Sequence, residues 1–437
     1  MNKRINDFLT TVREMRAFLI LWLTQTFSGL GSAMTGYALV LWSYEQQGSA
    51  LVTALLMVSS YAPYVLCSIF AGALSDRWDK RRTMLVCDAI AAATTICTLV
   101  MLRMGALQVW HLYVLNAING LMNTVQQPAS EVATTALLPR KHYQRVGSLR
   151  YLSSSLTGIL NPILATAVMA LLGMDAVILF DLFTFAVAFV VLLVFIRIPE
   201  GERPAAKEPL MASVRGGLQF LREKRGILSL VLFLAAINLV ASMYNATIPA
   251  LLLPREGGEF ALGMINSITG ATTLLGSLLA TLLPAPKSRV RVVCWTLLFS
   301  MSTENFFLAF GRTLPVWCVG AFLGWIFIPL MNANLDAIMR LNIPQGMQGR
   351  VFAARNSLQF FTIPLGYFLG GAAVDLLFEP LMATQEAGSL LTAVFGSGKG
   401  SGAACFFAVQ AVLGVLVCLW FMGDRHIRAM AAEELKA

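Results

Sequence analysis

Apolar residues run along this chain in blocks of about 20, the length a helix needs to cross the hydrocarbon of a bilayer. Short polar segments separate the blocks. Twelve can be drawn, at about 17–43, 51–74, 84–102, 108–136, 146–172, 176–197, 227–253, 259–284, 291–311, 314–341, 354–378 and 402–422. Polar residues interrupt the fourth and the tenth. The pattern predicts an all-α polytopic membrane protein of twelve transmembrane helices. The longest break, Pro199–Gly226, holds Pro199, Pro204, Pro209 and many charges. Within it Val214, Leu218 and Leu221 stand at i, i+4 and i+7, which predicts an amphipathic helix lying on the membrane surface. The break divides the chain into a six-helix half at 1–198, a linker at 199–226 and a second six-helix half at 227–437.

Charge orients these blocks. The hairpin after the second, Gly72-Ala-Leu-Ser-Asp-Arg-Trp-Asp-Lys-Arg-Arg82, carries four cations between two apolar runs. Cations mark the cytoplasmic face. With that loop inside, the outer loops hold only Arg103, Arg255, Arg312 and Lys399 of the 32 Lys and Arg residues. Both termini are then expected in the cytoplasm, in a multi-pass inner-membrane protein. The loop between the eighth and ninth blocks, Pro284–Arg291, repeats the basic loop between the second and third with Lys287, Arg289 and Arg291. Six plus six spans around a basic central loop is a repeat architecture of secondary transporters.

Composition agrees and excludes several classes. The chain is 57% hydrophobic and 13% charged, where soluble domains carry about 25% charge. The net charge of +9 sits in short loops, not on a basic face with interleaved aromatics, so nucleic acid is not expected. The seven cysteines lie in apolar blocks without a CxxC pair, which predicts free thiols and no metal site. The first apolar block is too long for a cleaved signal. Gly396-Ser-Gly-Lys-Gly-Ser-Gly402 misses the phosphate-loop spacing: Ala393 stands at the first glycine position and Gly400 at the Ser/Thr position. It reads as a flexible linker, so neither ATP nor another cofactor is expected. No nucleophile–base pair suggests an enzyme. His111, His142 and His426 sit at loops or span ends, unsuited to a proton relay.

Four blocks carry polar residues on one helical face: Gln25, Ser28, Ser32 and Thr35; Asn116, Asn119, Asn123 and Gln126; Asn238, Ser242 and Asn245; Trp325, Asn332 and Asp336. Lipid cannot satisfy amides, so these faces point inward, either lining a substrate path or gluing helices together. Tyr37, Tyr244 and Trp325 would supply aromatic walls or core packing. Four acids are embedded: Asp88, Asp181, Glu304 and Asp375. A carboxyl group in hydrocarbon costs about 2.5–3.5 kcal/mol on insertion scales. Glu304, 13 residues after Arg291 and so roughly 20 Å along a helix, is the deepest in its block. It suits proton coupling, or a hydrogen bond to Ser302, Thr303 or another helix. Asp181 lies nearer the outer end, where a structural role or an outer gate fits. Asp88 and Asp375 lie near span ends and read as structural.

The loop Gly72–Arg82 resembles the loop 2–3 signature of the major facilitator superfamily. Trp22-Leu-Thr-Gln25-Thr-Phe-Ser28, Gln127-Pro128-Ala129, Pro344-Gln-Gly-Met-Gln-Gly349-Arg350-Val351 and Pro364-Leu-Gly366 resemble its macrolide-efflux branch of drug exporters. Relatives of that branch include siderophore exporters and a lysophospholipid transporter. The resemblance implies alternating access by two six-helix halves and a central cavity lined by spans one, four, seven and ten. It implies a proton or another coupling ion, a small hydrophobic or amphipathic substrate, membrane lipids around a monomer, and a latch in which Asp76 meets the N-terminal end of span eleven. Gly72, Arg77, Arg81 and Arg350 would support that latch. An uptake symporter on the same fold is the alternative. Two departures stand out. Asn116 occupies the position, four before Gly120, where many drug/proton antiporters of the superfamily carry Arg, and the span-five antiporter signature survives only as Gly158-Ile-Leu-Asn161-Pro162. Proton coupling would then rest on Glu304 and Asp181, or a different ion would couple.

Overall fold

The computed structural model describes residues 14–77, 79–137, 143–196, 210–255, 257–284, 286–344, 348–386 and 388–436. Among them no strand occurs. The first helices, α1 (Arg16–Gln47), α2 (Ala50–Arg77), α3 (Lys80–Arg103), α4 (Val109–Ala136), α5 (Tyr143–Leu172) and α6 (Met174–Val194), follow the expected blocks. Then come α7 (Leu210–Glu223), α8 (Arg225–Leu252), α9 (Gly258–Leu282) and α10 (Arg289–Phe310). The tenth block is two helices, α11 (Leu314–Trp325) and α12 (Ile328–Asn342), divided just before Pro329. The eleventh is α13 (Gln348–Phe360), α14 (Thr362–Ala373), a π-helical turn at Val374–Phe378 and α15 (Glu379–Ala383). A short α16 (Leu390–Phe395), α17 (Ser401–Gly423) and α18 (Arg425–Lys436) complete the chain.

Eleven of the described helical segments are long and apolar enough to cross a membrane. Helix α4 is 28 residues long but falls outside that set, because its row of asparagines and glutamines lowers its hydropathy. The chain is thus an all-α, multi-pass membrane protein, and the twelfth span depends on α4.

The backbone divides into two compact units. Unit 1 comprises Met1–Val40 and Ser59–Lys207, and unit 2 comprises Leu41–Val58 and Glu208–Ala437. Inside unit 1, α3 packs on α4 and α6, and α5 on α6. Asp79 starts α3: its carboxylate accepts the Arg82 N–H at 2.6 Å, so one acid of the basic hairpin is a helix cap. Arg81 of the same hairpin donates to the carbonyls of Leu192 and Leu193, placing a cation on the last turn of α6.

Inside unit 2, α8 packs on α14 and α17, and α10 packs on α11, α12 and α17. Phe233, Leu297, Leu335, Met339 and Cys418 are at the centre of its core, joined by Leu221 of α7 and Ile427 of α18. The expected surface helix is therefore α7, yet it packs along α13; Leu218 is exposed while Phe220 and Leu221 enter the core. The stretch Gly396–Gly402 also departs from the flexible linker expected of its composition. Gly388, Gly396, Gly398 and Gly400 all adopt positive φ, and the Glu379 carboxylate accepts the N–H groups of Gly400 and Ala403 at 3.0 and 3.2 Å. Glycines serve there as tight turns that bring a carboxylate onto the start of α17. All seven cysteines are free thiols.

Candidate functional site

Each unit holds its own partly open chamber with polar side chains in its wall. That of unit 1 measures about 210 Å³ and lies among α1, α3, α4 and α6. Ser32, Asn116, Asn119, Asn123 and Asp181 line it. Ser32 Oγ donates to Asp181 Oδ1 at 2.9 Å, and Thr94 Oγ1 donates to Asn119 Oδ1 at 2.9 Å. Asp181 is 4% exposed. It comes this close to α1 because Gly31 has no side chain: a Cβ there would lie 2.5 Å from Thr184 Oγ1 and 2.9 Å from Asp181 Cα. Gly120 does the same for α4, where a Cβ would sit 2.1 Å from the Ser60 carbonyl oxygen.

The chamber of unit 2 measures about 200 Å³ and lies among α8, α10, α11, α12 and α13. Asn238, Tyr244, Glu304, Trp325, Asn332 and Gln359 line it. Glu304 is 6% exposed, and Trp325 Nε1 donates to its Oε1 at 2.9 Å. The Tyr244 phenol faces the same carboxylate. Gly320 and Gly324 let α11 lie directly on α10; a Cβ at Gly324 would be 2.6 Å from Glu304 Cβ. This is the small-residue spacing that lets membrane helices approach closely. Ser302 and Thr303 instead return their hydroxyls to carbonyls of their own helix, so of the hydrogen-bond partners expected for Glu304 the one observed belongs to another helix.

Other expected site residues lie elsewhere. Tyr37 packs with Met34, Ala165 and Val177 in an apolar cluster of unit 1. Ser242 sits at the crossing of α8 and α14, where a Cβ on Gly366 would be 2.7 Å from Ser242 Cβ. Asn245 bonds back to the Ala241 carbonyl. Gln25 and Ser28 are half-buried and outside the chamber lining. Gly72, Asp76, Arg77 and Arg350 fall outside the residues whose side chains are described. Arg81 is engaged by the end of α6, and Arg355 reaches Asp336 at 3.7 Å and Gln359 at 3.1 Å.

Several polar residues were missed by stripe reading. Thr95 and Thr98 line the first chamber, and Asn305 and Gln359 the second. Asp88 accepts Gln126 Nε2 at 2.7 Å, and the Gln25 side chain faces the same carboxylate. The acid judged structural thus forms an embedded polar joint between α3 and α4. Asn305 follows Glu304 directly, and Gln359 interrupts an apolar run; only those local signals pointed to them.

These chambers are built from helices of a known transporter fold. The family model described as Major Facilitator Superfamily matches residues 21–367, and the chain belongs to that superfamily. Among curated relatives, Macrolide efflux protein A of Streptococcus pyogenes is 24% identical over 365 residues, covering 82% of this chain and 89% of that protein. The multidrug efflux pump Tap of Mycolicibacterium fortuitum is 23% identical over 380 residues, covering 84% and 91%. Among solved structures, a mutant of the nucleoside transporter NupG superposes with a TM-score of 0.70 at 14% identity, covering 93% of this chain and 99% of that one. A bacterial homologue of the human lysosomal transporter Spinster, inward-facing and unoccupied, superposes with a TM-score of 0.66 at 13% identity, covering 96% and 98%.

Proposed function

We propose that this transporter exports small hydrophobic or amphipathic compounds across the cytoplasmic membrane, driven by protons entering through Glu304 and Asp181. Halves 1–198 and 227–437 would alternate about a substrate path, with both termini in the cytoplasm and no partner chain required. The observation that carries the reading is the pair of chambers, each with one buried carboxylate in its wall. A carboxyl group whose hydrogen-bond partners come from neighbouring helices can exchange a proton and pass the change in charge to those helices. Tyr244 and Trp325 beside Glu304 would suit an amphipathic cargo, the aromatic faces taking its apolar body. The efflux relatives favour export over the uptake reading, and the named substrates of those relatives suggest macrolide-like compounds as the first panel.

Purified protein in proteoliposomes with an imposed proton gradient tests this directly. Wild-type protein should transport a macrolide or a cationic dye only while the gradient lasts, and Glu304→Gln should reduce that gradient-driven rate at least tenfold. Gradient-driven transport at the wild-type rate in Glu304→Gln refutes the assignment of Glu304. Transport driven equally by sodium alone would assign a different coupling ion. The resemblance also supports a latch at Asp76, for which Asp76→Asn should insert normally but turn over more slowly.

A further inference from the structure

The hairpin joining α1 and α2 has a partner that the transport reading does not use. Residues 41–58 belong to unit 2, although the remainder of α1 and α2 belongs to unit 1. The attachment centres on Asp375. Its Oδ1 accepts the Ala50 N–H at 3.0 Å, its Oδ2 accepts the Leu51 N–H at 2.8 Å, and the Ser49 hydroxyl donates to Oδ2. Ser49 Oγ meanwhile accepts the Val52 N–H at 3.1 Å. The start of a helix leaves several N–H groups without intrahelical partners. Here Ser49 caps one of them, and a carboxylate from a distant helix takes the two that Ser49 does not reach.

Three features make this contact specific. Asp375 lies in the π-helical turn Val374–Phe378, and such turns re-aim side chains and recur at functional positions. Gly371, one turn earlier, allows the approach: a Cβ there would sit 2.7 Å from Ala54 Cβ, 2.8 Å from Leu51 Cα and 2.9 Å from the Ala50 carbonyl oxygen. Beside it Ala54, Ala246 and Tyr367 form a small apolar cluster, with Met57, Val58 and Ile363 packed against it. Hydrogen bonds to an ionised carboxylate are stronger than neutral ones, so the three bonds to Asp375 add a directional hold to this apolar packing.

We infer that Asp375 is a positioning residue of the transport cycle, fastening the 41–58 hairpin to the end of the eleventh span and releasing it when that face opens. The contact is independent of which substrate or ion the protein uses. An acid that sequence position marks as merely structural thereby becomes a removable clasp. It engages the face opposite the one where the resemblance places Asp76.

Thiol accessibility tests it. Ala54→Cys, buried in the cluster, is labelled with a membrane-impermeant maleimide added to intact cells, against a background without that substitution. Adding Asp375→Ala should raise the labelling rate about tenfold, the equivalent of 1.4 kcal/mol in the clasp equilibrium. Ser49→Ala should raise it by a smaller factor. A control, Ala404→Cys, buried near the start of α17, should label at an unchanged rate. Equal rates at Ala54→Cys with and without Asp375→Ala overturn the proposal, as does a parallel rise at Ala404→Cys, which would mean loosening of the whole unit. If Asp375→Ala does not accumulate in the membrane, Ser49→Ala decides, since it keeps the carboxylate and both amide bonds. The labelling needs neither cargo nor gradient, so its outcome is separable from failure of the export reading.

Discussion

Glu304 shows how much one glycine can determine. Gly324 lets α11 approach until its backbone is against the Glu304 side chain, and Trp325, the next residue, then reaches the carboxylate with Nε1. Gly324→Val would place methyl groups where Glu304 Cβ stands. Overpacking of this kind costs about 1–3 kcal/mol, so the detergent-solubilised protein should melt several degrees lower and lose gradient-driven transport. Trp325→Phe keeps an aromatic ring, though a smaller one, and removes the donor, leaving Glu304 Oε1 short of a partner. Leaving a buried acceptor without its partner costs about 1–3 kcal/mol. Reduced gradient-driven transport in the same proteoliposomes, with a fall in melting temperature similar to that of Gly324→Val, is the expected signature. Glu304 was legible from the sequence because a deep carboxylate is rare in an apolar block. Its tryptophan partner, 21 residues later, was visible only as a possible cavity wall.

Among the elements, the C-terminal helix α18 is held at both ends by carboxylates. Glu434 accepts the Ser288 hydroxyl at 2.8 Å and the Val290 N–H at 3.0 Å, so α18 caps the start of α10. At its own start Asp424 accepts the N–H groups of His426 and Ile427 at 2.9 and 3.1 Å. A Cβ on Gly226 would lie 2.3 Å from Met430 Sδ, so α18 also lies close on the first turn of α8. Glu434→Ala should cost about 0.5–2 kcal/mol, the usual worth of a helix cap, read as a lower melting temperature with transport retained. Acid should loosen the same helix. Burial pushes Asp424 up, but the N–H groups of Ile427 and His426 outweigh it and hold the carboxyl below its ordinary value. A carboxyl lowered on folding stabilises fully above its unfolded pKa and loses that contribution as pH falls through the folded one. Proteolysis of α18 should therefore quicken below the ordinary carboxylate range in wild-type protein, and the acid dependence should weaken in Asp424→Asn. None of these caps announced itself in the sequence. A cap needs only a short acid near a helix start, and Asp79, Asp375, Glu379 and Glu434 each resemble an ordinary loop or span-end charge until their partners are placed.

For the whole molecule, the proposed topology has a simple check: a green fluorescent protein fused at either terminus should fluoresce, and alkaline phosphatase fused after Lys399 should be active. Loss of fluorescence at both ends would invert the orientation. The all-α, multi-pass character and the rough limits of most apolar helices were readable from the chain, because hydrocarbon imposes a length on each apolar block and lipid excludes unpaired backbone; the superfamily was readable from the resemblance of the Gly72–Arg82 loop. Periodicity also selected Asn116, Asn119 and Asn123 as one face, since residues three and four apart in a helix must share a side. Which helix that face meets is not a local property. Tertiary structure placed Asp181 and Glu304 in separate chambers, sent Tyr37 and Ser242 into packing, and set Asp375 on the start of α2. Those outcomes depend on how closely two backbones approach, and that distance is set where Gly31, Gly120, Gly324 and Gly371 meet their neighbours, far apart in sequence and adjacent only in the folded chain.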